Sequence, residues 1–120
     1  MPKRIPLEVW KGNTLQRVWA FKDAAGAPVD ITGWEAVVVI EWPAAVGIAA
    51  GEIRKTTDEN GGLAVDVQAG SFALALTPAE TRQIPTGTSA KYEFEIRYQG
   101  TEATPFYGEV KVSEWANDDA

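Results

Sequence analysis

The chain has no cysteine and no histidine. Without a thiol it can form no disulfide, hold no Cys-ligated zinc and perform no thiolate chemistry, and the redox character of its compartment stays open. Without an imidazole, the usual nucleophile and base pairs of serine and cysteine hydrolases cannot be assembled. Basic residues are also scarce: eleven Lys and Arg stand against seventeen Asp and Glu, for a formal charge of −6. Only Lys3-Arg4 and Arg54-Lys55 are adjacent. Affinity for polyphosphate comes largely from clustered cations that release counterions, so no nucleic-acid partner is expected. Long apolar runs are missing as well. Nothing after the amino terminus has signal-peptide length, and Val37 to Ile40 is far too short to span a bilayer, so no membrane partner is expected.

What is present is ordinary globular material, with 45% hydrophobic residues in 120. That length suits one domain over residues 1–120, with 1–4 and 116–120 expected to fray. Short alternating runs are punctuated by Gly, Pro, Asn and Asp at the spacing of a sandwich or small barrel. Trp34, Ala36, Val38, Ile40 and Trp42 share one parity and are expected in the core, which turns Glu35, Val37, Val39 and Glu41 outward. Leu63, Val65 and Val67, then Phe72, Leu74 and Leu76, then Tyr92, Phe94, Ile96 and Tyr98, alternate in the same way. The run from Leu15 to Phe21 changes parity around Arg17 and Val18, and its inner face cannot be assigned without allowing a bulge. Asn60-Gly61 predicts a tight hairpin turn. Thr77-Pro78-Ala79-Glu80 has the form of a capping box and predicts one or two helical turns near 78–84.

Few residues could carry chemistry. Glu93 and Glu95 share a strand face, and paired carboxylates are what a glycosidase needs, but their alternation with Lys91 and Arg97 is that of a solvated strand with cross-strand ion pairs. Ser71, Ser89 and Ser113 read as strand-edge or loop residues. Asp58, Glu59 and Asn60 match no calcium-loop spacing and are accounted for by a turn. No catalytic residue, metal or cofactor is expected. Five tryptophans remain to be explained. Trp34 and Trp42 have core parity, whereas Trp10 and Trp115 are candidates for an interface or for stacking on sugar rings. Residues 43–51 are small and nearly uncharged, and read either as a flexible hairpin tip or as an arm that orders on assembly.

Three stretches carry a family resemblance. Lys11-Gly-Asn-Thr14, with Asp23-Ala-Ala-Gly-Ala-Pro-Val-Asp-Ile-Thr-Gly-Trp34, is similar to the "G-D-T, then D-x-x-G-x-P-x-D-L-T-G-aromatic" pattern of small phage and prophage proteins. Phe72-Ala-Leu-Ala-Leu-Thr-Pro-Ala-Glu-Thr-Arg-Gln-Ile-Pro-Thr-Gly87, followed by Tyr92-Glu-Phe-Glu-Ile96, looks like their "L-x-L-[ST]-x-x-E-T" stretch and its following strand. Gly100, with Gly108-Glu-Val-Lys-Val112, looks like their closing strand. Asn13 departs from the usual aspartate, and an Ala/Gly-rich insertion follows Trp42. The pattern resembles the immunoglobulin-like amino-terminal domain of phage baseplate upper proteins. That resemblance implies an all-β, immunoglobulin-like antiparallel sandwich of about seven or eight strands with one short helical turn. It also implies a non-enzymatic virion structural protein of tail, baseplate or fibre attachment, made in the bacterial host cytoplasm and assembling with other phage structural proteins and with itself. The contact residues expected on this reading are Trp10, Val37, Val39, Val46, Ile48 and Trp115. A carbohydrate-binding module using exposed aromatic residues is the alternative.

Overall fold

Alternation between buried and exposed side chains accompanies nine strands and one helix among the described residues: β1 Lys3–Arg4, β2 Leu7–Trp10, β3 Leu15–Ala20, β4 Glu35–Trp42, β5 Gly51–Thr56, β6 Leu63–Asp66, β7 Ser71–Leu76, α1 Pro78–Gln83, β8 Ala90–Tyr98 and β9 Thr101–Ser113. These come from a computed structural model that describes residues 2–86 and 88–114. One sheet runs in the order β1-β9-β8-β4-β5 with β2 also on β9, and the other runs β3-β7-β6. Both are antiparallel except where β1 and β2 lie parallel to β9. The result is an all-β, immunoglobulin-like sandwich in which the first strands pair with the last one and not with β3.

Inward side chains of both sheets meet in one core. Val9, Val38, Ile40, Tyr92 and Phe94 come from the larger sheet, and Trp19, Phe72, Leu74 and Leu76 from the smaller. Burying side chains of this size is worth roughly 1.5–3 kcal/mol each, which makes this layer the main source of stability. Immunoglobulin domains commonly bridge the strands equivalent to β3 and β8 with a disulfide. Here Trp19 stacks on Phe94 across the same gap, with ring centroids 4.9 Å apart.

The unassignable strand proves regular. β3 pairs with β7 without interruption from Leu15↔Leu76 to Ala20↔Ser71. The parity conflict is real: Arg17 points inward with Leu15 and Trp19, and Val18 points out, 58% exposed. The register irregularity lies instead in the β8–β9 pair between Phe94 and Ile96. Beyond it Ile96 is only half-buried and Tyr98 is exposed, so the expected inward run ends early.

Other expectations need correction. Lys3 and Arg4 do not fray, because they pair with Phe106 and Tyr107. Val65 and Val67 are exposed, since β6 is a short edge strand that ends at Asp66 and leaves Val67 in the turn after it. Asn60-Gly61 makes no hairpin: positive φ falls on Asn60 and Gly62, and the chain passes from one sheet to the other, with Thr56 and Gly62 bridging in parallel. The capping box forms. Thr77 Oγ1 accepts from the Glu80 N–H at 3.2 Å, and Glu80 Oε1 accepts from the Thr77 N–H at 2.9 Å.

One glycine fixes how the first strands reach β9. A Cβ on Gly108 would lie 2.6 Å from the Ile5 carbonyl oxygen, so only glycine lets the linker between β1 and β2 approach this closely. The same oxygen accepts a hydrogen bond from the Tyr92 hydroxyl. Burial pushes the Tyr92 hydroxyl above its ordinary pKa, against the Trp19 N–H and the Arg17 cation, which act the other way.

Candidate interaction surfaces

The two outer sheet faces are built from different residues. On the larger sheet, registered rows place Val37 between Thr56 and Glu95, Val39 between Arg54 and Glu93, and Glu41 between Glu52 and Lys91. Arg97 Nε donates to Glu95 at 2.8 Å, and Lys91 lies 3.6 Å from Glu41. The hydrogen bond to Glu95 and the Glu95 charge raise the pKa of Arg97. Long charged side chains therefore flank Val39 on both sides and Val37 on the β8 side. Val37 is only 7% exposed and Val39 half-buried, which removes Val37 as an accessible contact residue.

The smaller sheet presents the opposite chemistry. Its outward positions are Gln16, Val18 and Ala20 on β3, Ser71, Ala73 and Ala75 on β7, and Ala64 and Asp66 on β6. Register sets Val18, Ala73 and Ala64 in one row across all three strands. Asp66, at the corner, is the one charged residue among these positions. The sequence carried the signal, since three alanines occupy alternate outward positions on β6 and β7. It was unreadable without the neighbouring strand, because the exposed face of β3 could not be assigned.

The remaining expected contact residues lie apart. Trp10 ends β2 at one edge of the larger sheet, paired in register with Ser113 and 38% exposed. Val46 is fully exposed at the tip of the β4–β5 connection, on the far edge. That connection is an ordered tip and no free arm: Ala45 and Ile48 exchange both backbone hydrogen bonds at 3.0 and 2.9 Å. Ile48 packs half-buried against the core, and the Trp42 indole N–H donates to the Ala49 carbonyl at 3.1 Å. Trp115 lies outside the described residues. The five contact residues within the described range thus form no single surface.

Two concavities stand out. The larger, about 660 Å³, sits beside Trp42 and is ringed by Glu41, Glu52 and Lys91. The smaller, about 340 Å³, lies between Trp34 and the β8–β9 hairpin. No protein-family model matches the chain, and no curated protein sequence matches it. Among the described residues no three His, Cys, Asp or Glu side chains gather as a possible metal set, and no helix is long and apolar enough to cross a membrane. Glu95 is engaged by Arg97, and Ser71 is buried at the start of β7. The surface thus comprises one charged sheet face, one largely neutral sheet face, and an aromatic pocket at one end.

Proposed function

We propose that this chain is a non-catalytic assembly module, a structural component of a phage tail, baseplate or fibre attachment that works by binding copies of itself and neighbouring subunits. The observation that carries the assembly reading is the uncharged row Val18–Ala73–Ala64 on a chain of net charge −6. Copies of an acidic protein repel one another over most approaches, and a flat neutral sheet face is where that repulsion is least. Small outward side chains also allow another surface to come close without trapping voids.

Size limits what this face does alone. Three strands about 4.8 Å apart and roughly 20 Å long give a patch on the order of 300 Å². A standard interface takes about 800 Å² from each partner, so the patch serves as the centre of a contact whose rim comes from surrounding elements. Assignment to a virion rests on the resemblance of the three stretches from Lys11 to Trp34, Phe72 to Ile96, and Gly100 to Val112.

Sedimentation velocity over a concentration series tests the assembly reading. Self-association is expected, and Val18→Glu is expected to weaken it while leaving the circular-dichroism spectrum unchanged. A chain that stays monomeric at all concentrations and in the presence of its genomic neighbours would sink the reading. Mass spectrometry of purified particles tests the virion assignment separately.

A further inference from the structure

The geometry points to a second recognition site, independent of the neutral sheet face: the pocket between Trp34 and the β8–β9 hairpin binds a neutral sugar ring. The pocket holds about 340 Å³ and is lined by Trp34, Ile96, Tyr98, Gln99, Thr101 and Pro105, with Ala103 behind. That is the lower end of small-ligand sites, the size of one or two pyranose rings. Trp34 and Tyr98 present neighbouring rings with centroids 5.9 Å apart, tilted by 42°. Trp34 is held in place by Phe21, 5.6 Å away, so the platform is fixed from behind.

Three features select the occupant. A pyranose has an apolar face of C–H groups and an edge of hydroxyls, and the pocket's lining combines two aromatic residues, Trp34 and Tyr98, with the hydroxyl of Thr101 and the amide of Gln99 as polar groups. A proline-rich segment would also use the rings, but its prolines offer hydrogen-bond acceptors alone, whereas the edge of a sugar both donates and accepts. None of the lining residues is charged, although the chain is strongly acidic. Neutral sugars fit such a lining, whereas uronic acids would lose hydration of their carboxylate without gaining a cation.

The third feature is the backbone of the hairpin. Gln99 and Gly100 both have positive φ, 49° and 79°, which is the two-residue turn with left-handed angles at both central positions. Asn, Asp or Gly normally fills the first of them, and a glutamine there costs conformational energy. The turn holds this unfavourable residue at the pocket rim, where its amide can both donate to and accept from adjacent hydroxyls.

The test titrates the full chain with glucose, galactose, N-acetylglucosamine, glucuronate and a proline-rich peptide. Tryptophan fluorescence and amide chemical shifts near Trp34 and Tyr98 are the readouts. At least one neutral sugar is expected to bind with a dissociation constant on the order of 1 mM. Tyr98→Ala is expected to weaken it about tenfold or more. Gln99→Gly relieves the turn, so that variant is expected to fold at least as well as the parent yet bind several-fold more weakly. Val18→Glu is expected to bind sugar like the parent. Absence of sugar binding, preference for glucuronate or for the peptide, or full affinity in both pocket variants would each overturn the proposal.

Discussion

The Lys55 ammonium and the Glu80 carboxylate meet at 2.5 Å, tying the edge strand β5 to the helix that follows β7. Lys55 has the parity of the buried Ile53, so this cation points inward from a sheet edge, and its stem crosses close over Gly62. Glu80 is also the reciprocal member of the capping box. Both side chains are less than a quarter exposed, which protects the pair from much of the screening that weakens surface ion pairs.

Glu80 should therefore govern part of the acid stability. Burial works to raise its pKa, but the hydrogen bond from Lys55, the Thr77 N–H and the Lys55 charge together hold it below the ordinary 4.5. The unfolded chain takes up this proton at a higher pH than the folded chain. The contribution is thus complete above about pH 4.5 and is lost as pH falls through the folded value. Glu80→Gln is expected to destabilise by about 1–2 kcal/mol at neutral pH, with the loss shrinking towards acid. Urea unfolding at several pH values would reveal it, and a deficit that does not change with pH would refute the assignment.

Gly108 should tolerate no side chain. Its Cβ would meet the Ile5 carbonyl oxygen at 2.6 Å and the Ile5 carbonyl carbon at 2.9 Å, both backbone atoms that cannot rotate away. Gly108→Ala is expected to cost about 1–3 kcal/mol and to raise hydrogen exchange at Ile5, whose amide bonds Tyr107. Exchange at Ile5 equal to that of the parent would count against this account.

Arg17 should act against stability and for solubility. It points inward from the edge strand β3, with its Nε buried and without a hydrogen-bond partner among the described residues. An inward charge at an edge discourages strand addition by other chains, at some cost to the fold. Arg17→Leu is expected to raise unfolding free energy by about 1 kcal/mol while lowering the concentration at which the protein aggregates. A variant that is both less stable and fully soluble would contradict this.

Val46 and Ile48, two residues apart, should respond oppositely to the same change. Val46 is fully exposed, whereas Ile48 packs against the core. Val46→Ser is expected to leave the melting temperature unchanged, and Ile48→Ser to cost about 1–2 kcal/mol. Equal effects would mean that the tip is not anchored as described.

Strong alternation made much of the fold legible. Ala36, Val38, Ile40 and Trp42 are buried as their parity requires, and the capping box at Thr77 and Glu80 forms where its side chains specify. These are local properties: one strand's parity and one helix's first turn involve residues within a few positions of each other. The expected contact residues were less legible. Val37 has outward parity yet is only 7% exposed, in a row between Thr56 on β5 and Glu95 on β8 that parity within β4 alone does not reveal. Trp34, taken only as a core residue, forms a pocket wall with Tyr98 because the hairpin brings β8 and β9 beside it.

By itself the sequence determined the class of the molecule, since absent Cys and His limit its chemistry and period-two patterns dictate sheets. Only the tertiary structure decided which faces are open. Val18, Ala73 and Ala64 are separated by as many as 55 positions, from 18 to 73, and become one neutral surface only when β3, β7 and β6 pair. Parity tells which side of a strand a residue is on, but the neighbour that covers or extends that side is supplied by pairing between distant segments.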